Sequence, residues 1–160
     1  MRKATTATIF ILAATVLLPP RSATGDQPGP RCETVSGKLE EDPGGASCPT
    51  DHPNCFMGAI HGKKLEATTL FYGEGSVAAP PASPGWFAYS GVTTYTTENG
   101  AIVTRETGLV SNFTIPGAPG RASLSMEVIT SGGTGYLFVN GFVDANRHVT
   151  SQVSGTICTP

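Results

Sequence analysis

The chain has 160 residues, with 10 Lys+Arg against 12 Asp+Glu, 20 Gly, 13 Pro and 4 Cys. Charged residues make up 14% of it and hydrophobic residues 39%, where soluble domains carry roughly 25% charge. This excludes a disordered charged tail, leaves room for one domain with a core, and offers no electrostatic footprint for nucleic acid.

Arg2 and Lys3 precede an apolar run from Ile9 to Leu18, and Ser22-Ala23-Thr24 follows. A basic start, a short apolar stretch and small residues are the three parts of a secretory signal peptide. The run falls well short of the ~20 residues that span a bilayer. Residues 1–24 are therefore expected to be a cleaved signal, with the cut between Ala23 and Asp26. The mature chain of about 136 residues would keep seven basic residues against twelve acidic ones, a net charge of −5. No later run is long enough to cross a membrane, so the expected location is extracellular or periplasmic.

Residues 25–31 read as a flexible leader and 32–160 as the folded domain. No amphipathic helix stands out after residue 25. Thr, Val, Ile, Phe and Tyr are punctuated by Gly and Pro at short intervals, the pattern of strands and turns. Strands are predicted at 32–40, 56–62, 64–76, 86–97, 101–112, 121–130, 134–144 and 147–158. Pro-rich Ala78–Gly85 and Pro116–Gly120 read as connectors, because proline has no N–H to give a ladder. Asn99-Gly100 predicts a type I′ hairpin, whose central residues both take positive φ. Asp144–Arg147 separates the last two strands.

Cys32, Cys48, Cys55 and Cys158 all lie beyond the signal. In an oxidising compartment an even count reads as two disulfides, with three connectivities open from sequence. Cys48–Cys55 is favoured because Cys-Pro-Thr-Asp-His-Pro-Asn-Cys is a short, turn-rich loop, leaving Cys32–Cys158 to tie the first strand to the last. The competing reading is a metal site built from Cys48, His52, Cys55 and His61. That spacing matches no standard zinc motif, so no metal and no cofactor is expected.

Eight antiparallel strands allow a barrel or a two-sheet sandwich. A Cys32–Cys158 bridge would make the terminal strands neighbours and close the sheet. Val35-Ser36-Gly37 is echoed by Val153-Ser154-Gly155. The expected fold is thus all-β, a single antiparallel, disulfide-stabilised, eight-stranded barrel.

Alternation assigns the faces. Phe87, Tyr89 and Tyr95 share one side of their strand. Leu137, Val139 and Val143 oppose Tyr136, Phe138, Asn140 and Phe142. With apolar residues on both faces, one fills the lumen and the other meets something else, the candidates being a partner subunit, a packed terminal segment or a ligand in the lumen. The aromatic candidates for a ligand-lining face are Phe87, Tyr89, Tyr95, Tyr136, Phe138 and Phe142. Glu106 alternates with Ile102, Thr104 and Val110, so it is a candidate buried acid or base. Arg105 points oppositely and is the candidate anion holder if its face is the lumen. Glu127, with Ser123 and Ser125, reads as solvated. Asn112-Phe113-Thr114 fits the N-glycosylation sequon, relevant only in a host that glycosylates.

Ser131-Gly132-Gly133-Thr134-Gly135-Tyr136, then Gly141-Phe142 and Gly155-Thr156-Ile157, resembles the closing segments of the allene-oxide-cyclase-like and dirigent-like barrels. The resemblance covers roughly residues 86–158. It implies an eight-stranded barrel, often trimeric, whose apolar lumen guides cyclisation or radical coupling. No catalytic residue of that family maps onto this chain. Three functions follow as expectations: a barrel that binds a small apolar molecule or serves as an extracellular module, a cyclase or coupling-guide enzyme, and an adhesion or host-interaction protein.

Overall fold

In a computed structural model that describes residues 29–78 and 85–160, eight strands follow one another. They are β1 (Arg31–Pro43), β2 (Cys55–Lys63), β3 (Ala67–Ala78), β4 (Trp86–Thr97), β5 (Gly100–Thr114), β6 (Arg121–Ser131), β7 (Thr134–Val143) and β8 (Val149–Thr159). Each pairs antiparallel with the next, and β8 returns to β1, so the sheet closes into a barrel. Closure removes both open edges, the main hazard of an all-β fold. The only helical element among the described residues is a single 3-10 turn, Gly45–Ser47, between β1 and β2. Among the described residues no helix is long and apolar enough to cross a membrane. The predicted signal peptide, residues 25–28 of the leader and residues 79–84 of the Pro-rich connector lie outside the described residues.

Both disulfides form as expected, Cys32–Cys158 and Cys48–Cys55. Cys32 and Cys158 are directly opposed across the β1–β8 ladder. The Val-Ser-Gly echo lies in the same seam, where Val35 faces Gly155 and Gly37 faces Val153. Each valine thus stands opposite a glycine, so two inward side chains fill a space that four large ones would overfill.

The interior has two unlike halves. At the end carrying the β2–β3, β4–β5 and β6–β7 turns, Val35, Ile60, Leu65, Tyr95, Ile129, Leu137 and Ile157 pack into a closed floor. Ile60, Tyr95 and Leu137 are wholly inaccessible there. Burial of such side chains contributes about 1.5–3 kcal/mol each. The opposite end carries the β1–β2, β3–β4, β5–β6 and β7–β8 connections, and among the described residues no comparable apolar layer packs there.

Two turns use local chemistry to fix register. Thr97 pairs with Gly100 across the β4–β5 hairpin, and Thr97 Oγ1 donates to Gly100 O (2.8 Å) while accepting from Asn99 N–H (3.1 Å). Gly100 has φ +126°, and Asn99 is not among the positive-φ residues. The hairpin is therefore where expected but is not type I′: the threonine cap holds Asn99 at ordinary φ and glycine alone takes the reversal. Before β8, Asp144 Oδ1 accepts from Asn146 N–H (2.8 Å) and His148 N–H (2.9 Å), an Asx-type turn that leaves Arg147 at φ +68°.

Candidate functional site

At the end opposite the floor lies a cavity of about 520 Å³. Its walls carry Phe56 from β2, Phe71 from β3, and Phe87 and Tyr89 from β4. The rings of Phe71 and Tyr89 meet edge to face at 6.0 Å. At the rim, Arg147 stands over Phe56 (5.1 Å) and Arg121 over Phe87 (6.0 Å).

Glycine makes room for these rings. A Cβ on Gly91 would lie 2.4 Å from Phe71 Cε2, and one on Gly108 would lie 2.5 Å from Tyr89 Cζ. The aromatic side chains therefore lie along bare stretches of the neighbouring strands instead of crossing the lumen. Gly108→Ala is expected to unseat Tyr89 and cost about 1–3 kcal/mol, read as a lower denaturation midpoint with a changed near-ultraviolet tyrosine signal. Gly73→Ala, whose Cβ would meet nothing nearer than 4.0 Å, should leave both unchanged.

Four glutamates line the same cavity: Glu74, exposed and paired with Arg105, and the buried Glu41, Glu106 and Glu127. Each of the buried three is held by hydroxyls from neighbouring strands. Thr69 Oγ1 donates to Glu41 Oε1 (2.7 Å), reaching it across Gly58, which pairs with both residues. Tyr89 OH (2.6 Å) and Thr93 Oγ1 (3.1 Å) donate to the two oxygens of Glu106. Tyr95 OH (2.8 Å) and Thr104 Oγ1 (2.6 Å) donate to those of Glu127. Among the described residues none of the three has a basic partner; the ion pairs lie elsewhere, as in Arg105–Glu74 and Lys38–Glu40. Burial pushes Glu41 up to about 7, with the charge of Glu106 adding to it against the Thr69 hydrogen bond. Burial and then the charge of Glu106 push Glu127 up to about 8. Tyr89 and Tyr95 are driven well above the usual phenol range, first by burial and then by the facing carboxylates.

The sequence-predicted residues divide. Phe87, Tyr89 and Glu106 face the cavity. Tyr95 points inward but belongs to the packed floor, its hydroxyl committed to Glu127. Arg105 lies on the outer wall, exposed and paired with Glu74 (2.9 Å), so it is no lumen anion holder. Tyr136, Phe138 and Phe142 are on the outer face, with Tyr136 and Phe138 46% and 45% exposed. The inward side of β7 is instead Leu137, Val139 and Val143. An eight-stranded barrel is just wide enough for side chains to fill, and the floor holding Tyr95 and Leu137 has no place for more rings.

Glu127 overturns its expectation most sharply. It is 1% exposed, directly opposite Glu106 across the β5–β6 ladder. The polarity of β6 is inverted, with Ser123, Ser125 and Glu127 turned to the lumen and Leu124, Met126 and Val128 about half exposed outside. Glu41, Phe56, Phe71, Thr69 and Ser151 were not singled out by sequence. Alternation from Val35 and Leu39 would have carried Glu41 inward had β1 been drawn past residue 40.

The proposed alternative ligands for a metal are otherwise engaged. Cys48 and Cys55 are bonded to each other, His52 stacks on Tyr72 at 3.8 Å, and His61 pairs with Glu66. Asn112 of the sequon is exposed near the end of β5.

Fold and site together define a closed up-and-down barrel with one packed end and, at the other, an aromatic cavity lined with acids. Comparison with protein-family models, curated proteins and solved structures finds no match for this chain.

Proposed function

We propose that the protein is exported and that its barrel takes a small, largely apolar molecule into the lumen from the end opposite the floor. The observation that carries this reading is the cavity itself, about 520 Å³ and walled by Phe56, Phe71, Phe87 and Tyr89. That size is ordinary for a small-molecule site, and a lumen serving only as structural core would be filled with side chains. The amino-terminal signal pattern and the two disulfides support export. The resemblance to allene-oxide-cyclase-like and dirigent-like barrels points to the same place for a ligand.

A second reading, a cyclase or isomerase that shapes its substrate, is favoured by one feature. The Tyr89–Glu106 hydrogen bond puts a phenol and a carboxyl side by side in the cavity wall, within reach of a bound molecule as donor and acceptor. A thermal-shift screen of the purified protein against a library of apolar compounds tests binding. Ligands at 100 times Kd should stabilise the fold by about 2.7 kcal/mol, and a uniform absence of shift across all classes would remove both readings.

A further inference from the structure

We infer that the lumen selects organic cations: ammonium compounds whose apolar or aromatic body lies among the phenylalanines while the charged head meets the acids. This rests on the lumen-binding reading above and names the class of ligand. Three buried carboxyl groups converge on one cavity, both oxygens of Glu106 and Glu127 and one of Glu41 held by neutral hydroxyls, with no basic side chain bonded to any of the three among the described residues. Glu41 and Glu127 both feel the charge of Glu106, and Glu127 also that of Glu41. Any one that ionises therefore opposes the next. Such a set has no counter-charge of its own and keeps protons on Glu41 and Glu127 instead. An ammonium head would replace those protons as the partner that buried carboxylates need.

A second, independent feature points to an occupant. Ser151, 2% exposed, lines the cavity and its Oγ has no hydrogen-bond partner. A buried hydroxyl left unpaired is rare in a finished interior, and a ligand head carrying N–H groups would satisfy it as well as the carboxyls.

The spacing of the acids narrows the cation. No three His, Cys, Asp or Glu side chains among the described residues are grouped closely enough to hold a metal ion. The counter-charge must therefore be larger than a bare ion and tolerant of apolar walls. An alkyl- or arylammonium satisfies both conditions, since its N–H groups donate to separate acceptors and aromatic faces attract cations. Arg121 and Arg147 line the same cavity with their guanidinium groups over Phe87 and Phe56, and neither is bonded to the three buried acids.

The test is a matched series with one apolar body and three heads: 4-phenylbutylamine, 4-phenylbutanol and 4-phenylbutyrate, titrated calorimetrically into the purified protein. The amine should bind at least tenfold more tightly than the alcohol, and the carboxylate most weakly. Glu106→Gln and Glu41→Gln should each shrink the amine-to-alcohol ratio, while Lys38→Ala, on the outer wall and away from the cavity lining, leaves it unchanged. Equal binding of amine and alcohol, or preference for the carboxylate, overturns the inference but leaves lumen binding standing. No binding by any of the three, with an apolar library also silent, overturns both. Because the ligand series is read on the unmodified protein, the result does not depend on any variant folding.

Discussion

Replacing Cys32 and Cys158 together by serine should lower stability by about 4–5 kcal/mol. The bridge spans 126 residues, and the loop-entropy relation assigns a crosslink of that length roughly this value. Cys48–Cys55 spans 7 residues, and the same relation gives about 2 kcal/mol for it. The two pairs of substitutions therefore form an internal comparison, read as guanidinium midpoints under identical conditions. The long bridge also joins the two strands that close the barrel. Its loss should raise the frequency with which β1 and β8 part and present open edges, so the same variant should aggregate at lower denaturant than its stability loss alone explains. A Cys32/Cys158 variant that loses no more than the Cys48/Cys55 variant would mean that the eleven-pair β1–β8 ladder holds the seam without help.

The architecture was legible because each strand carries its own signal. β-branched and aromatic residues bounded by Gly, Pro and Asn mark all eight strands within a few residues, and the even, two-bridge reading of the cysteines closes the sheet. The lumen was legible only where its polarity is conventional. On β4 and β5 the inward side includes Tyr95, Ile102 and Val110, so Glu106 could be placed by alternation. On β6 the apolar residues face out and the acids face in, and a rule that sends apolar residues inward reverses the strand. Alternation fixes which residues share a face but not which face is inside. Pairing could have decided it: directly opposed residues lie on the same side, and Glu127 stands opposite Glu106. The bulge between Val110 and Thr114 shifts the register by two, which preserves that parity.

Stability should fall as pH rises from about 5 to about 8.5, and Glu127→Gln should remove a large part of the fall. The sign follows from the direction of the shifts. Glu41 and Glu127 have folded-state values near 7 and 8 against 4.5 for an ordinary glutamate, so between those limits the native state holds protons that the unfolded chain has lost. Their contribution is complete below about 4.5 and disappears as pH climbs through 7 and then 8. At about 1.4 kcal/mol per pK unit, the two together are worth on the order of 5 kcal/mol over the window.

Glutamine at position 127 is neutral throughout and fits the same partners. Its carbonyl accepts from Tyr95, and its amide can donate to Thr104 Oγ1, because that hydroxyl has a second acceptor in Thr93 O at 3.3 Å. The variant should therefore match the parent near pH 5 and exceed it by several kcal/mol near pH 8.5. Denaturant midpoints at four or five pH values give both curves, and their difference isolates the contribution of Glu127. Parallel curves would mean that Glu127 is ionised in the folded barrel at pH 5. A deficit at every pH would mean that the amide breaks the Tyr95 and Thr104 contacts on which the floor of the cavity rests.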